Sequence, residues 1–296
     1  LVIFGSYDGN VYALNKNTGK KEWISFEADW VGSSPAVAAD LGLVFIGLEF
    51  GLFKRRGGIV ALNARTGETV WTDYTHFAFT HASPKYIGRH EQVVIGSNDG
   101  IVRLYDAKTG KLIWKFTTFG GAEYDTSVDA GFGTGEIKES MVYDEERDYI
   151  IFGATDGFLY ILNRENGNLV HHFKCQFGIW ATPFLYKDKV YFTSLDKRIR
   201  CLNLDTFEIV FDKNVDGTRI FSSPTVIDGK LYVGTNAGRL HEFDSESGEE
   251  LGYFQALERI TNAVVKNNKT GLFFLPTYAN EIICLERVKE NKDITN

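Results

Sequence analysis

The stretch that decides the fold is GSYDGNVYALNKNTGKKEW, residues 5–23. Apolar side chains alternate on both sides of Asp8-Gly9, and a second turn sequence, Thr18-Gly19, precedes the closing tryptophan. An Asp-Gly pair between alternating apolar runs indicates a hairpin, because tight primed turns need positive φ, which glycine adopts freely. The stretch therefore predicts three antiparallel strands joined by two turns.

The same phrase recurs along the chain, for example as GSNDGIVRLYDAKTGKLIW at residues 96–114. Seven copies align on a polar residue that precedes the second turn: Asn15, Asn63, Asp106, Asn163, Asn203, Asp244 and Glu286. From the second copy on, a further short apolar segment comes first, so each copy predicts four strands. Roughly 40 residues with four antiparallel strands is the size of one propeller blade.

The repeats predict an all-β fold, a seven-bladed β-propeller of four-stranded antiparallel blades that occupies residues 1–296 as a single domain. The first blade is incomplete at Leu1, because the sequence opens inside an apparent second strand. A missing strand would come from upstream residues or from the tail KENKDITN, since sheet edges are normally paired or protected. Eight blades remain an alternative if upstream residues are missing.

The repeated phrase resembles the repeat of the pyrroloquinoline-quinone-type (PQQ-like) β-propellers, which include quinoprotein alcohol dehydrogenases and outer-membrane assembly lipoproteins. The resemblance covers essentially the whole chain. It implies that the tryptophan of each phrase packs between neighbouring blades. That position holds, in chain order, Trp23, Trp71, Trp114, His171, Phe211 and Gly252.

The resemblance does not by itself imply the quinone. Quinoprotein dehydrogenases hold a calcium-bound PQQ beside a vicinal cysteine pair, whereas Cys175, Cys201 and Cys284 are far apart in this sequence. We therefore expect no PQQ, no other cofactor and no quinone-dependent dehydrogenase activity. Cys201 and Cys284 fall on an inward strand position, which predicts reduced core residues.

Composition excludes several classes of protein. Hydrophobic residues make up 44% of the chain, enough for a substantial core, and the net charge of −7 argues against a nucleic-acid partner. No apolar stretch approaches the length of a membrane span. Three scattered cysteines leave the compartment open. We expect a soluble protein, with the cytoplasm slightly favoured over the periplasm.

In a propeller, the loops that enter the innermost strands and the hairpins between second and third strands share one face, which is the expected binding surface. Aligned loop positions predict a ligand site of aromatic and charged residues at Trp30, Phe79, His81, Lys138, Trp180, Arg219 and Phe221. An insertion in the second copy adds Lys54, Arg55 and Arg56, which would suit an anion or an acidic partner. A structural role in capping the channel is the plainer interpretation.

A longer insertion explains the widest interval between copies and supplies Asp125, Asp129 and Glu136 among several glycines. Their spacing is similar to that of a calcium loop, but Ala130 stands where such a loop requires glycine. Calcium is therefore a weak prediction for these three residues. A flexible glycine-rich lid is the preferred interpretation.

Three functional hypotheses follow. The first is a non-enzymatic scaffold that recognises a peptide, a protein segment or a small ligand on its loop face. The second is a hydrolase- or lyase-type enzyme with acid–base groups His81, Lys138 and Glu136 under the lid. The third is one domain of a larger protein. The sequence contains no recognisable catalytic motif, which favours the first hypothesis.

Overall fold

The computed structural model describes residues 1–50, 56–121 and 135–287. The chain divides into two compact units, Leu1–Pro183 with four β-sheets and Phe184–Asn296 with three. Apart from a 3₁₀ helix at Gly88–His90, the named elements of the described residues are strands. In these ranges we find no helix with the length and hydropathy that a membrane span requires.

We call the seven sheets blades 1 to 7 in chain order. The strands of the first unit are β1 (Val2–Gly5), β2 (Asn10–Leu14) and β3 (Lys21–Phe26) in blade 1; β4 (Ala36–Ala38), β5 (Leu43–Glu49), β6 (Gly57–Asn63) and β7 (Thr69–His76) in blade 2; β8 (Lys85–Ile87), β9 (Gln92–Gly96), β10 (Ile101–Asp106) and β11 (Leu112–Thr117) in blade 3; and β12 (Val142–Asp144), β13 (Tyr149–Gly153), β14 (Phe158–Asn163) and β15 (Leu169–Lys174) in blade 4.

The strands of the second unit are β16 (Phe184–Tyr186), β17 (Lys189–Ser194), β18 (Arg198–Asn203) and β19 (Ile209–Asn214) in blade 5; β20 (Thr225–Ile227), β21 (Lys230–Gly234), β22 (Arg239–Asp244) and β23 (Glu250–Gln255) in blade 6; and β24 (Val265–Lys266), β25 (Phe273–Pro276) and β26 (Ile282–Leu285) in blade 7.

Every blade is an antiparallel meander in which each strand pairs with the next one along the chain. Blades 2 to 6 have four strands, whereas blades 1 and 7 have three within the described residues. The predicted fold class, an all-β seven-bladed β-propeller, is confirmed. The single-domain assignment of residues 1–296 remains a prediction.

The Asp-Gly turns form as predicted, and a side-chain hydrogen bond within the hairpin stabilises them. Gly9, Gly100 and Gly157 adopt φ of +85°, +73° and +83°. The turn aspartate also accepts a hydrogen bond from the side chain four residues later, in the pairs Tyr12–Asp8, Arg103–Asp99, Tyr160–Asp156 and Arg200–Asp196. In blade 5 the turn position is held by Lys197 at φ of +72°, a left-handed conformation that costs a non-glycine residue energy.

The repeated tryptophans join neighbouring blades of the first unit. The indole Nε1 of Trp23 donates to the carbonyl of Ala64 in blade 2 at 3.2 Å. Its ring lies so close to Gly67 that a Cβ there would be 2.6 Å from it. The same arrangement recurs for Trp71 with Ala107 and Gly110, and for Trp114 with Arg164 and Gly167. The packing role that the resemblance implied is therefore confirmed.

We call such a contact, a ring of one blade packed on a turn glycine of the next, a seam. Among the described residues of the second unit, one aromatic ring forms a seam. Phe211 of blade 5 lies against Gly248 of blade 6, where a Cβ would be 2.6 Å from the ring. Phe211 is 6% exposed and belongs to the core cluster that blades 5 and 6 share. Phenylalanine thus fills the tryptophan position here, without an N–H group to donate.

The cysteine prediction is half right. Cys201 is buried on β18, as expected, but Cys284 is exposed on β26. The cause is the number of strands, because no described strand pairs with the outer edge of β26. In four-stranded blades the third strand is covered on that side by the fourth.

Candidate functional site

Backbone hydrogen bonds bring together the two kinds of loop that were predicted to share a face. In blade 2, Trp30 and Glu49 exchange both backbone bonds at 3.0 Å. Asn98 N donates to Phe79 O in blade 3, and Thr155 N donates to Glu136 O in blade 4, each at 2.9 Å. The loop before the first strand of each blade is therefore tied to the residues that follow the second strand. These contacts position Trp30, Phe79 and Glu136, which are predicted site residues of the first unit.

His81 is positioned by a buried carboxylate that the sequence analysis missed. Its Nδ1 lies 2.9 Å from Oε1 of Glu49, whose side chain is 2% exposed. Gly32 makes room for this carboxylate, because a Cβ at residue 32 would be 2.6 Å from Oε1. A buried carboxylate needs such a partner to offset the loss of water. This contact rests on distance alone, because Oε1 of Glu49 makes no hydrogen bond of acceptable geometry among the described residues.

Glu136 and Lys138 form a second pair, with 2.6 Å between Lys138 Nζ and Glu136 Oε2. Burial raises the pKa of Glu136, and the hydrogen bond and charge of Lys138 oppose that rise. The other carboxylate oxygen, Oε1, is buried and has no hydrogen-bond donor among the described residues. An acceptor left in this state costs free energy.

Aromatic rings lie beside both pairs. Lys138 Nζ is 5.6 Å from the ring centroid of Trp180, a cation–π distance. Phe79 makes edge contacts with Trp30 and with His81, at centroid distances of 6.1 and 6.0 Å. Trp180 is 37% exposed, so part of this ring is available to a ligand. The first unit therefore combines fixed charges with partly exposed aromatic surface.

Glu139 is a further acid that the sequence analysis missed. The surrounding protein displaces water and raises the pKa of its carboxyl to about 7, although the charge of His81 lowers it. Its side chain is nevertheless exposed. A signal was present in the sequence, because Glu139 stands at a repeat position that holds serine or alanine in most other copies.

The remaining predicted residues fall in the second unit, beside the part of the first insertion that is not described, or outside the described residues. Arg219 is exposed and Phe221 is half-buried, and both belong to the second unit. Arg56 is exposed, and its carbonyl accepts a hydrogen bond from Phe50 N at 3.0 Å. Lys54, Arg55, Asp125 and Asp129 lie outside the described residues.

The long insertion has a well-defined base. Thr118 Oγ1 donates to Gly135 O at 2.9 Å and accepts from Gly121 N at 3.0 Å. Gly121 and Gly135 approach so closely that a Cβ on Gly135 would be 2.4 Å from Gly121 N. The base therefore lies directly before Glu136, while the predicted lid and most of its candidate calcium ligands fall outside the described residues.

The residues present do not fit a metal or quinone site. Within residues 1–50, 56–121 and 135–287, no three His, Cys, Asp or Glu side chains are grouped as metal ligands would be. Cys175 and Cys201 are buried at separate positions and Cys284 is exposed, so no cysteine pair is available to hold a quinone. The polar groups of the first unit instead make ion pairs with one another.

Comparison with known proteins agrees with this fold. The profile of the family described as outer membrane protein assembly factor BamB matches residues 98–272, more than half of the chain. The crystal structure of BamB from Moraxella catarrhalis aligns with a TM-score of 0.74, covering 95% of this chain and 77% of that chain, at 18% sequence identity. At that identity, the similarity shows the β-propeller fold.

Two sequence relatives carry the same name. The outer membrane protein assembly factor BamB of Legionella pneumophila is 24% identical over 173 residues, which cover 57% of this chain and 42% of the relative. That of Shewanella oneidensis is 24% identical over 250 residues, which cover 81% and 58%. The chain therefore spans about half the length of the curated relatives it matches. Quinone-dependent alcohol dehydrogenases match as well.

The expectation of a cytoplasmic protein is wrong. Four of the relatives are named as outer membrane protein assembly factors, which points to the periplasm. Three unpaired cysteines gave no information on this point, because a propeller with a large core folds without disulfides in either compartment.

Proposed function

Because the chain belongs to the family of outer membrane protein assembly factor BamB, we propose that it is a non-enzymatic scaffold that binds a polypeptide during the assembly of outer membrane proteins. The binding surface would be the loop face of the first unit, formed by Trp30, Phe79, His81, Lys138 and Trp180. Proteins of similar fold differ widely in activity, so this assignment depends on the site.

The observation that carries the proposal is the pairing of Glu136 and Lys138 beside Trp180. One oxygen of Glu136 is buried without a donor among the described residues, and Lys138 lies over a partly exposed indole ring. A polypeptide offers both backbone N–H donors and apolar side chains to such a surface. Aromatic residues at the centre of an interface commonly supply most of its binding energy.

Charged pairs at this face would give the interaction its specificity. Glu136 and Lys138 hold opposite charges 2.6 Å apart, and His81 Nδ1 lies 2.9 Å from a carboxylate oxygen of Glu49. Groups fixed in this way lose little entropy on binding, so a partner of matching polarity gains affinity. The predicted residues Arg219, Phe221, Lys54, Arg55 and Arg56 remain candidate binding residues within this proposal.

A direct test measures binding of an immobilised synthetic peptide with the alternating apolar pattern of an outer-membrane β-strand. We expect Trp180→Ala and Trp30→Ala each to weaken binding about tenfold or more, because each removes an aromatic contact. Ile113→Ala, which removes an exposed apolar side chain of β11, serves as the control and should bind normally. Equal affinity of all variants would move the binding surface elsewhere.

One observation favours the second candidate function, an acid–base enzyme. A carboxyl with a pKa of about 7, as at Glu139, is suited to proton transfer near neutral pH. His81, Lys138 and Glu136 would be its companions, but each is already engaged in an ion pair. A turnover that falls by orders of magnitude in Glu139→Gln, with the fold intact, would favour this alternative.

A further inference from the structure

A cavity of about 370 Å³ lies in the second unit and is lined by residues of blades 6 and 7. Its walls include Tyr232, Gly252, Phe273 and Leu285. Gly252 stands at the repeat position that holds tryptophan in the first three blades and phenylalanine in blade 5. The cavity therefore coincides with a glycine where other seams have an aromatic ring.

The strand register shows that the cavity occupies the place that the ring of Trp23 fills in blade 1. We call this place the aromatic slot. In blade 1, Trp23 pairs with Ala13, which pairs with Ile3. In blade 6, Gly252 pairs with Glu242, which pairs with Tyr232, and all three line the cavity.

The opposite wall follows the same register. The ring of Trp23 shares a core cluster with Val44 and Leu62 of blade 2, which pair with each other. Phe273 and Leu285 are the corresponding pair in blade 7, and both line the cavity. Arg287 corresponds to Ala64, whose carbonyl accepts the indole N–H. Gly67, on which the ring of Trp23 also packs, corresponds to residue 290, which lies outside the described residues.

The backbone explains why the chain does not fill the slot from this position. Gly252 has φ of +153°, a conformation that side-chain-bearing residues rarely adopt. The strand pairing shifts register between Glu242 and Phe243, as it does at the equivalent places beside Trp23 and Trp114.

We propose that this slot binds an aromatic side chain of a partner polypeptide. The proposal concerns the second unit alone and does not depend on the function proposed above. Two observations favour a polypeptide. The rim is exposed, with Leu251 at 47% and Tyr253 at 56%. The outer edge of β26 pairs with no described strand, so its backbone groups lie beside the slot. An extended segment can pair with such an edge while one side chain enters a pocket.

Charged groups at the slot suit an aromatic ring. Arg287 donates to Glu242 Oε1 at 2.6 Å, and Tyr232 donates to Glu242 Oε2 at 3.0 Å. The guanidinium is therefore held in place at the cavity wall, where it would lie against the π face of an entering ring. An indole could in addition donate its N–H to a carbonyl, as the rings of the first unit do.

The test uses N-acetyl-L-tryptophanamide as the probe and follows backbone amide resonances of the whole chain by NMR. We expect saturable shifts at Gly252 and Leu285, with a dissociation constant on the order of 1 mM for so small a ligand. N-acetyl-L-leucinamide is the matched control and should bind at least several-fold more weakly. Leu285→Trp, which places a ring in the cavity wall, should abolish the shifts, and Arg287→Gln should weaken binding a few-fold.

Phe211→Ala provides a positive control, because it empties the equivalent slot between blades 5 and 6. Binding of the probe to this variant near Gly248, without shifts at Gly252 in the unmodified protein, would overturn the proposal. Shifts confined to other regions would overturn it as well. Binding of free indole without binding of N-acetyl-L-tryptophanamide would show that a polypeptide side chain cannot enter, and would also contradict it. If Leu285→Trp does not fold, the response of Arg287→Gln decides.

Discussion

The seams between blades differ between the two units. In the first unit, Trp23, Trp71 and Trp114 each combine a ring packed on glycine with an indole N–H bonded to a carbonyl of the next blade. In the second unit, Phe211 keeps the packing without the hydrogen bond, and Gly252 supplies no ring. The comparison separates two contributions that coincide wherever the position holds tryptophan, namely aromatic packing and a directional hydrogen bond.

The largest loss of stability is expected when the aromatic ring between two blades is removed. Trp23 is 8% exposed and Phe211 is 6% exposed, so Trp23→Ala and Phe211→Ala should each lower the free energy of unfolding by about 3–5 kcal/mol. The loss should be greater for Trp23, whose bond to Ala64 is also broken. Urea denaturation of both variants measures this. A loss below about 1 kcal/mol at either position would show that the seam is not a major source of stability.

The next largest loss of stability is expected when the glycine on which the ring packs is substituted. Gly67→Ala places a Cβ 2.6 Å from the ring of Trp23, whereas Gly19→Ala, at a similar positive φ, meets no atom within 4 Å. Both variants incur the left-handed backbone cost of about 1–2 kcal/mol. Overpacking should add about 1–3 kcal/mol in Gly67→Ala alone.

Thermal and urea unfolding of this glycine pair isolate the contact with the ring, because the backbone cost is common to both. Equal destabilisation would mean that the indole moves aside freely.

A smaller loss of stability should distinguish the contribution of the indole hydrogen bond from that of ring packing. Trp114→Phe gives a seam of the first unit the chemistry of the second and removes an N–H that lies 2.7 Å from the carbonyl of Arg164. We expect a loss of about 1 kcal/mol for the hydrogen bond, and somewhat more if the carbonyl stays dry. Comparison with Trp114→Ala, which removes the ring as well as the N–H, would separate the two contributions. No change in stability would contradict a role for the indole bond.

The smallest change in stability is expected for a substitution in a hairpin turn. Gly100 in blade 3 and Lys197 in blade 5 have φ of +73° and +72°, so the lysine carries strain that the glycine avoids. Lys197→Gly should raise stability by about 0.5–1 kcal/mol, since relief of strain exceeds the entropy cost of glycine. Lys213→Gly on exposed β19 is the control and should lower stability. A loss of stability in Lys197→Gly would show that its side chain makes a compensating contact.

The sequence was sufficient for the blades because their determinants are local. Asp-Gly turns and alternating apolar runs define each hairpin within about 20 residues, so repeats such as 5–23 predict the meander directly. Failure at Cys284 had a non-local cause, because its exposure depends on a strand that would lie beside β26.

The candidate site was predicted in part for the same reason. Trp30, Phe79, His81, Lys138 and Trp180 occupy aligned loop positions, and alignment found them. Glu49 lies at the end of β5 and reaches His81 only through the backbone bridge to Trp30, which is a tertiary contact. The pKa of Glu139 depends on how much water the folded protein displaces, and no local sequence pattern records that quantity.

The base at Thr118 has a consequence for how this propeller can be diversified. Its hydroxyl bonds both ends of the insertion, at Gly121 and Gly135, so the two ends meet at one side chain. Loop-closure entropy changes only slowly with length, by roughly 0.6 kcal/mol for each doubling. Segments of different length and composition could therefore be exchanged at this point while blade 4 keeps its register, which makes the base a natural position for grafting new recognition sequences.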